Sequence, residues 1–168
     1  KNDIINGGEG APLTPLFHQL ITFQKKIELP VCILNIGGIS NITLVKESTD
    51  PLKLLSKDLG PGNCLIDSWV RNNSNKKIDY NGKLAAVGRI NEIILEQAQE
   101  LYANRINKEK KSFDTSDFDI SFARGLSLED GAATITEFSA SIIADSILSI
   151  KKDNDFREII VCGGGRKN

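Results

Sequence analysis

The chain has 168 residues, 40% of them hydrophobic and 26% charged, and its 21 basic and 22 acidic side chains leave a net charge of −1. That length holds one domain with a real core and room for part of a second. The near-neutral balance supplies no basic field for nucleic acid. No apolar run approaching a bilayer span and no signal peptide are read, so the expected compartment is cytoplasmic and no membrane partner is expected.

Residues 1–29 open on the turn-rich Gly7-Gly8-Glu9-Gly10-Ala11-Pro12, followed by an apolar segment around Leu16, Phe17, Leu20, Ile21 and Phe23 and a polar connection up to Pro30. Val31 to Ile36 reads as a buried strand ending at Gly37-Gly38, Ile42 to Val45 as its hairpin partner, and Leu52 to Leu55 as a third strand. The glycines and proline of Asp58-Leu59-Gly60-Pro61-Gly62-Asn63 predict a tight loop, and Leu65, Ile66, Trp69 and Val70 then recur at helical spacing.

The stretch 71–83 is polar and loop-like, and a long amphipathic helix is predicted with Val87, Ile90, Ile94, Ala98 and Leu101 on one face. Residues 105–124 read as a charged, irregular, mobile surface segment. Ser127 is placed to cap a helix with Asp130 three positions on, and that helix carries Ile135, Phe138, Ile142, Ile143, Ile147 and Ile150 toward a core. Glu158 to Cys162 closes as a strand running into Gly163-Gly164-Gly165. The pattern predicts an α/β fold, a mixed sheet with helices on its faces.

Cys32, Cys64 and Cys162 are odd in number, widely spaced and flanked by apolar residues, which predicts free thiols rather than disulfides or a zinc site. The absence of methionine, and a strand-to-helix turn with no helix after it, lead to the expectation that the sequence is cut at both ends.

Three glycine turns bear on chemistry. Asn35-Ile36-Gly37-Gly38-Ile39-Ser40-Asn41 lies between two strands, where glycine lets successive N–H groups face an anion; a plain hairpin turn uses the same residues. The turn from Asp58 to Asn63 precedes a helix, whose N-terminus favours phosphate, and Asp58 is placed to hold Mg²⁺ through water; a turn-capping Asp is the alternative. Gly163, Gly164 and Gly165 would let a base or ribose approach the backbone, although any strand-to-helix crossover uses glycine. None of the three fits the G-x-x-x-x-G-K-[ST] phosphate loop or the G-x-G-x-x-G fingerprint, which weighs against a dinucleotide-dependent redox enzyme.

Taken in order, Asp3…Gly7-Gly8-Glu9-Gly10-Ala11-Pro12-Leu13, Pro15-Leu16-Phe17-His18, Leu34-Asn35-Ile36-Gly37-Gly38-Ile39-Ser40-Asn41, Asp58-Leu59-Gly60-Pro61-Gly62-Asn63 with Asp67 and Trp69, and Cys162-Gly163-Gly164-Gly165 resemble the anhydro-N-acetylmuramic acid kinase family. The resemblance covers nearly the whole chain. It implies an actin-like fold of the sugar-kinase/Hsp70 type, two lobes closing over ATP, with residues 1–29 as the tail of the first lobe and 30–168 as an incomplete second lobe.

It further implies that Asn35, Gly37, Gly38, Ser40, Asn41, Gly60, Gly62 and Asn63 face the phosphates, that Gly163, Gly164 and Gly165 face the adenosine, and that Asp58 serves the metal. Asp3, preceding the Gly-Gly-x-Gly-Ala-Pro motif, maps onto the general base, and Gly8, Gly10, Pro12 and His18 onto the sugar side; for His18 a hydrogen-bonded packing role is the alternative. The implied reaction opens 1,6-anhydro-N-acetylmuramic acid by hydrolysis and phosphorylates the released 6-oxygen from ATP with Mg²⁺. Thr115 stands where an arginine is usual in the family, which weakens carboxylate recognition there. The family's N-terminal phosphate loop and C-terminal acidic helix are absent from this sequence, so little or no activity is expected of the chain alone. Relatives imply a homodimer. The competing reading is a non-catalytic actin-like module that binds nucleotide or sugar.

Overall fold

The structure, a computed structural model, describes residues 14–46, 54–105 and 112–168. Helix α1 spans Thr14–Lys25. Strands β1 (Val31–Ile36) and β2 (Ile39–Val45) form a hairpin about Gly37-Gly38, and β3 (Leu54–Pro61) adds antiparallel to β2. Strand β4 (Glu158–Cys162) adds parallel to β1, giving the order β3-β2-β1-β4. A parallel neighbour requires a crossover. Helices α2 (Cys64–Asn73), α3 (Glu92–Arg105) and α4 (Leu128–Asp153) occupy the chain between β3 and β4. This is the mixed, helix-flanked sheet that the pattern predicts.

The apolar run of β1 is continuous because both of its faces are covered: Val31, Cys32, Ile33 and Leu34 are all buried. On one face Cys32, Leu34, Ile42, Leu44 and Leu59 pack against Ile143 of α4 and Phe156, with Ile147 and Ile150 at the margin. A second core joins α2, α3 and α4 through Leu65, Trp69, Leu95, Ala98, Ile135 and Phe138. Trp69 anchors it by donating its indole N–H to the Leu128 carbonyl at 2.9 Å, and its ring lies where a Cβ on Gly131 would stand. On the opposite sheet face α1 is inverted: it buries the polar His18, Gln19 and Thr22 and exposes Leu16, Phe17, Leu20 and Phe23.

Several boundaries differ from expectation. The third strand, expected over Leu52 to Leu55, is seen from Leu54 and continues through Asp58 to Pro61, so most of the expected tight loop is ladder. Pairing with β2 overrides the turn propensity of Gly60 and Pro61, and an edge strand tolerates proline. Leu52 lies outside the described residues. Helix α3 begins at Glu92, because Asn91 accepts the Ile94 N–H at 3.1 Å and so starts the helix. Val87 therefore sits in a 3₁₀ turn, 73% exposed, and the buried face is Leu95 and Ala98 rather than the expected Val87, Ile90, Ile94 and Leu101. Helix α2 also runs on to Asn73, into the stretch read as loop.

Residues 112–124 are not irregular. Asp114 makes a capping box on the turn Thr115–Asp117, and Asp119 accepts the Ser121 N–H at 3.0 Å ahead of Ser121–Ala123. Phe113, Phe118 and Phe122 then join a cluster with Tyr102 and Phe138.

The predicted cap of α4 is present, with Ser127 Oγ accepting the Asp130 N–H at 3.1 Å. At 26 residues α4 is long and apolar enough, by length and composition, to cross a bilayer, contrary to the reading that no run approaches a span. Its inward face nevertheless packs in both cores. Within it the Ser139 hydroxyl is buried without a hydrogen-bond partner among the described residues. Ser139→Ala removes that desolvated group and adds helix propensity, so it is expected to stabilise the fold by about 1 kcal/mol. Denaturant unfolding checks this; an unchanged or lowered midpoint contradicts it.

Candidate functional site

The three glycine turns converge at the end of the sheet where β1 and β4 finish and β2 begins. The hairpin turn accepts three backbone hydrogen bonds from the segment entering α2: Gly62 N–H to the Gly38 carbonyl at 2.9 Å, Asn63 N–H to the Gly37 carbonyl at 2.7 Å, and Cys64 N–H to the Gly38 carbonyl at 3.1 Å. The Gly62, Asn63 and Cys64 N–H groups, of which only Cys64 belongs to α2, are therefore committed within the protein. The contact is close enough that a Cβ on Gly62 would stand 2.3 Å from the Gly37 oxygen. Ser40 ties the base of the hairpin to the same strand by donating its hydroxyl to the Gly60 carbonyl at 2.9 Å.

The third turn meets the other two through two asparagine side chains. Gly163 takes φ +87°, in the region that favours glycine, and a Cβ there would lie 2.4 Å from the Ile36 oxygen and 2.6 Å from Asn35 Oδ1. A Cβ on Gly165 would meet the Ile36 side chain and, at 2.9 Å, Asn63 Oδ1. The fold thus requires glycine at 62, 163 and 165. By contrast, among the described residues a Cβ on Gly38 has only Cys64 Cβ for company at 4.0 Å, and one on Gly164 only Asn63 Nδ2 at 3.8 Å. Space over these two positions is open.

Asn41 pairs with Asn35 and with Asp58 across the sheet. Asp58 Oδ2 accepts the Phe113 N–H at 2.8 Å and the residue lines a cavity of about 440 Å³, together with Tyr102, Ser141, Ile142 and Asp145. No group of three His, Cys, Asp or Glu side chains that could hold a metal occurs among the described residues. Magnesium that keeps most of its water asks for only one or two carboxylates, so Asp58 alone fits that mode.

Two titratable groups border α2's first turn. Burial pushes the Cys64 thiol up, and the Asp67 carboxylate raises it further against the Leu65 N–H, which lowers it, so this cysteine stays a thiol. Burial also pushes Asp67 up, opposed by Arg71. All three cysteines are free, as expected.

His18 is buried under α1, its Nδ1 2.9 Å from Thr43 Oγ1, on the sheet face away from α4. Desolvation lowers its pKa from the ordinary 6.5. The folded chain therefore binds fewer protons than the unfolded chain as pH falls through 6.5, and stability is lost on that side. The thermal midpoint is expected to fall between pH 7.5 and 5.5, and His18→Asn to remove that component of the slope. An unchanged slope in the variant contradicts this. Asp3, Gly8, Gly10 and Pro12 lie outside the described residues.

Two neighbours of the site were not legible in the sequence. The Tyr102 hydroxyl lies 2.8 Å from where a Cβ on Gly60 would sit, and burial pushes its pKa to about 12. Asp79, buried, accepts the Leu84 and Ala85 N–H groups at 2.8 and 3.0 Å and fixes the loop after α2. Asp79 belongs to the common class of loop-capping acids, which carries little signal, and Tyr102 is read only once the phase of α3 is known.

The family model for anhydro-N-acetylmuramic acid kinase matches residues 1–168. The chain is 53% identical over 171 residues to a protein of that name from Pelagibacter ubique, covering 100% of this chain and 45% of that protein. It is 37% identical to the protein of that name from Methylobacterium nodulans, over 99% of this chain and 43% of the relative. With that of Paramagnetospirillum magneticum it shares 35% identity, over 99% of this chain and 45% of the relative. The chain thus spans a little under half the length of these relatives. The helix-flanked mixed sheet is that of the actin-like ATPase superfamily, to which the matched family belongs. A match along its entire length makes the conclusion plain: this chain belongs to the anhydro-N-acetylmuramic acid kinase family.

Proposed function

We propose that this chain forms the nucleotide-binding part of an ATP-dependent kinase that opens 1,6-anhydro-N-acetylmuramic acid and phosphorylates its 6-oxygen, a step in cytoplasmic murein recycling. The convergence of three glycine turns on one end of the sheet carries this reading. Asn35, Gly37, Gly38, Ser40, Asn41, Gly60, Gly62 and Asn63 border the phosphates. Because the Gly62, Asn63 and Cys64 N–H groups are already bonded, the hairpin's own amides make the phosphate contacts, while Gly62 and Asn63 act at the border by holding the turns together. Gly163, Gly164 and Gly165 border the adenosine.

Residues 30–168 form the second lobe and residues 1–29 the tail of the first. When bound, Mg²⁺ neutralises charge developing on the transferred phosphoryl group. Asp58 meets it through water with the oxygen not engaged by Phe113. Asp3 is the base that activates water, Gly8, Gly10, Pro12 and His18 lie toward the sugar, and the whole enzyme is a homodimer.

On this reading the 168 residues by themselves, a little under half the length of their relatives, bind ATP yet turn over the anhydro sugar poorly. Calorimetric titration with ATP and Mg²⁺ is expected to give saturable binding, and incubation with the sugar to give little product. Absence of saturable ATP binding would sink the nucleotide assignment. Turnover matching the intact Pelagibacter ubique relative would sink the division of labour.

A further inference from the structure

The three turns form a closed ring of contacts whose links differ in kind. Between the hairpin turn and the start of α2 the link is backbone hydrogen bonding. Between α2's start and the 163–165 turn it is the Asn63 side chain, with Oδ1 2.9 Å from where a Cβ on Gly165 would lie and Nδ2 3.8 Å from that of Gly164. The ring closes where Asn35 lies against Gly163 and accepts from the Cys162 thiol at 3.8 Å.

Asn63 is held firmly at its backbone. Its N–H donates to the Gly37 carbonyl at 2.7 Å and its own carbonyl accepts the Asp67 N–H at 2.8 Å, so the residue is fixed both to the hairpin and to the first turn of α2. Its amide, by contrast, has no hydrogen-bond partner among the described residues. This half-buried amide, held at its backbone, stands beside the Gly164 and Gly165 positions and fills the space a side chain at 165 would need. Displacement of the 163–165 turn therefore pushes on α2, and through it on the hairpin.

We infer that Asn63 is a positioning residue that makes the two ends of the glycine site respond to ligand as one body, coupling occupancy at the 163–165 turn to the geometry of the 37–38 turn. This rests on the nucleotide reading above. It predicts that two fragments of the nucleotide assist each other when joined, a coupling that the Asn63 side chain carries.

The chain contains its own reporter. Trp69, the single tryptophan, lies on α2 beyond Asn63, buried and bonded to Leu128. Adenosine and inorganic tripolyphosphate are titrated separately, with calorimetry for binding and Trp69 emission for the response of α2. In the unaltered chain both ligands are expected to shift the emission. In Asn63→Ala, which keeps both backbone hydrogen bonds, adenosine is expected to bind within about two-fold of its original affinity while its emission response falls at least about five-fold. The tripolyphosphate response is expected to persist, and ATP to bind about ten-fold more weakly. The near-isosteric Asn63→Asp is expected to restore the adenosine response.

Persistence of the adenosine response in Asn63→Ala overturns the inference while leaving the nucleotide reading intact. Failure of the unaltered chain to bind adenosine, tripolyphosphate and ATP alike overturns the reading itself. Near-ultraviolet dichroism of Trp69 reports whether Asn63→Ala is folded; if it is not, Asn63→Ser, which retains a polar Cβ substituent, takes its place with the same expected loss.

Discussion

Gly62→Ala is expected to destabilise the chain by about 3 kcal/mol or more, the range of a forced clash in a well-packed region. The added methyl carbon would stand 2.3 Å from the Gly37 oxygen and 3.3 Å from that of Gly38. Neither obstacle is a flexible side chain. Both oxygens belong to the tight turn of the β1–β2 hairpin, and both already accept hydrogen bonds from residues 62–64. The turn and the entry to α2 must part, and the three hydrogen bonds go with them. For a chain of this length each kcal/mol moves the thermal midpoint by roughly 2–4 °C, so a fall of roughly 6–12 °C is expected by calorimetry. Gly125→Ala is the control: its φ of +93° penalises a side chain, but nothing stands within 4 Å, so only the backbone strain of about 1–2 kcal/mol remains. Equal losses in the two variants would show that contact with the hairpin is not what requires glycine at 62.

Gly164→Ala and Gly38→Ala are expected to do the reverse, leaving stability within about 0.5 kcal/mol while weakening ATP binding at least about ten-fold. Neither position has a positive φ in the left-handed region, and the nearest atoms to an added methyl lie at 3.8 and 4.0 Å, which is ordinary contact. The described residues give no reason for glycine at either place. A ligand that approaches the bare backbone does, because a methyl group there stands between the amide and the phosphate or ribose. Calorimetric titration of ATP beside thermal unfolding separates the two effects. Full ATP affinity in both variants would remove these positions from the site.

The elements whose residues satisfy one physical demand were legible in the sequence. β1 shows a continuous apolar run because both its faces are covered, and α4 shows its Ser127 cap and its inward isoleucines because one helix carries both signals. The boundaries that failed are those where two demands compete. Gly60-Pro61 announces a turn, yet the ladder with β2 holds it extended to Pro61. Val87 and Ile90 fit the period of α3, yet Asn91 starts that helix after them, and the phase moves to Leu95 and Ala98.

For the site, the identity of the three turns was readable from glycine content, but their mutual arrangement was not. No local pattern says that Gly62 N–H meets the Gly38 carbonyl, or that Asn35 and Asn63 wedge against the third turn. The inverted α1 was also hidden, since its apolar spacing reads the same whether it faces the sheet or away from it.

The parallel pairing of β4 with β1 carries a consequence for how the site assembles in time. The hairpin, β3 and the start of α2 are neighbours in sequence, so their contacts close short loops, whereas Asn35 and Cys162 are 127 residues apart. Long loops close late and set the pace of folding. During synthesis the hairpin turn and the α2 entry can lock while α3 and α4 are still unmade, whereas the turn at 163–165 arrives only after both of those helices have emerged. The half assigned to phosphate is thus built first, and the half assigned to adenosine last. A folding intermediate of this protein would hold the first without the second.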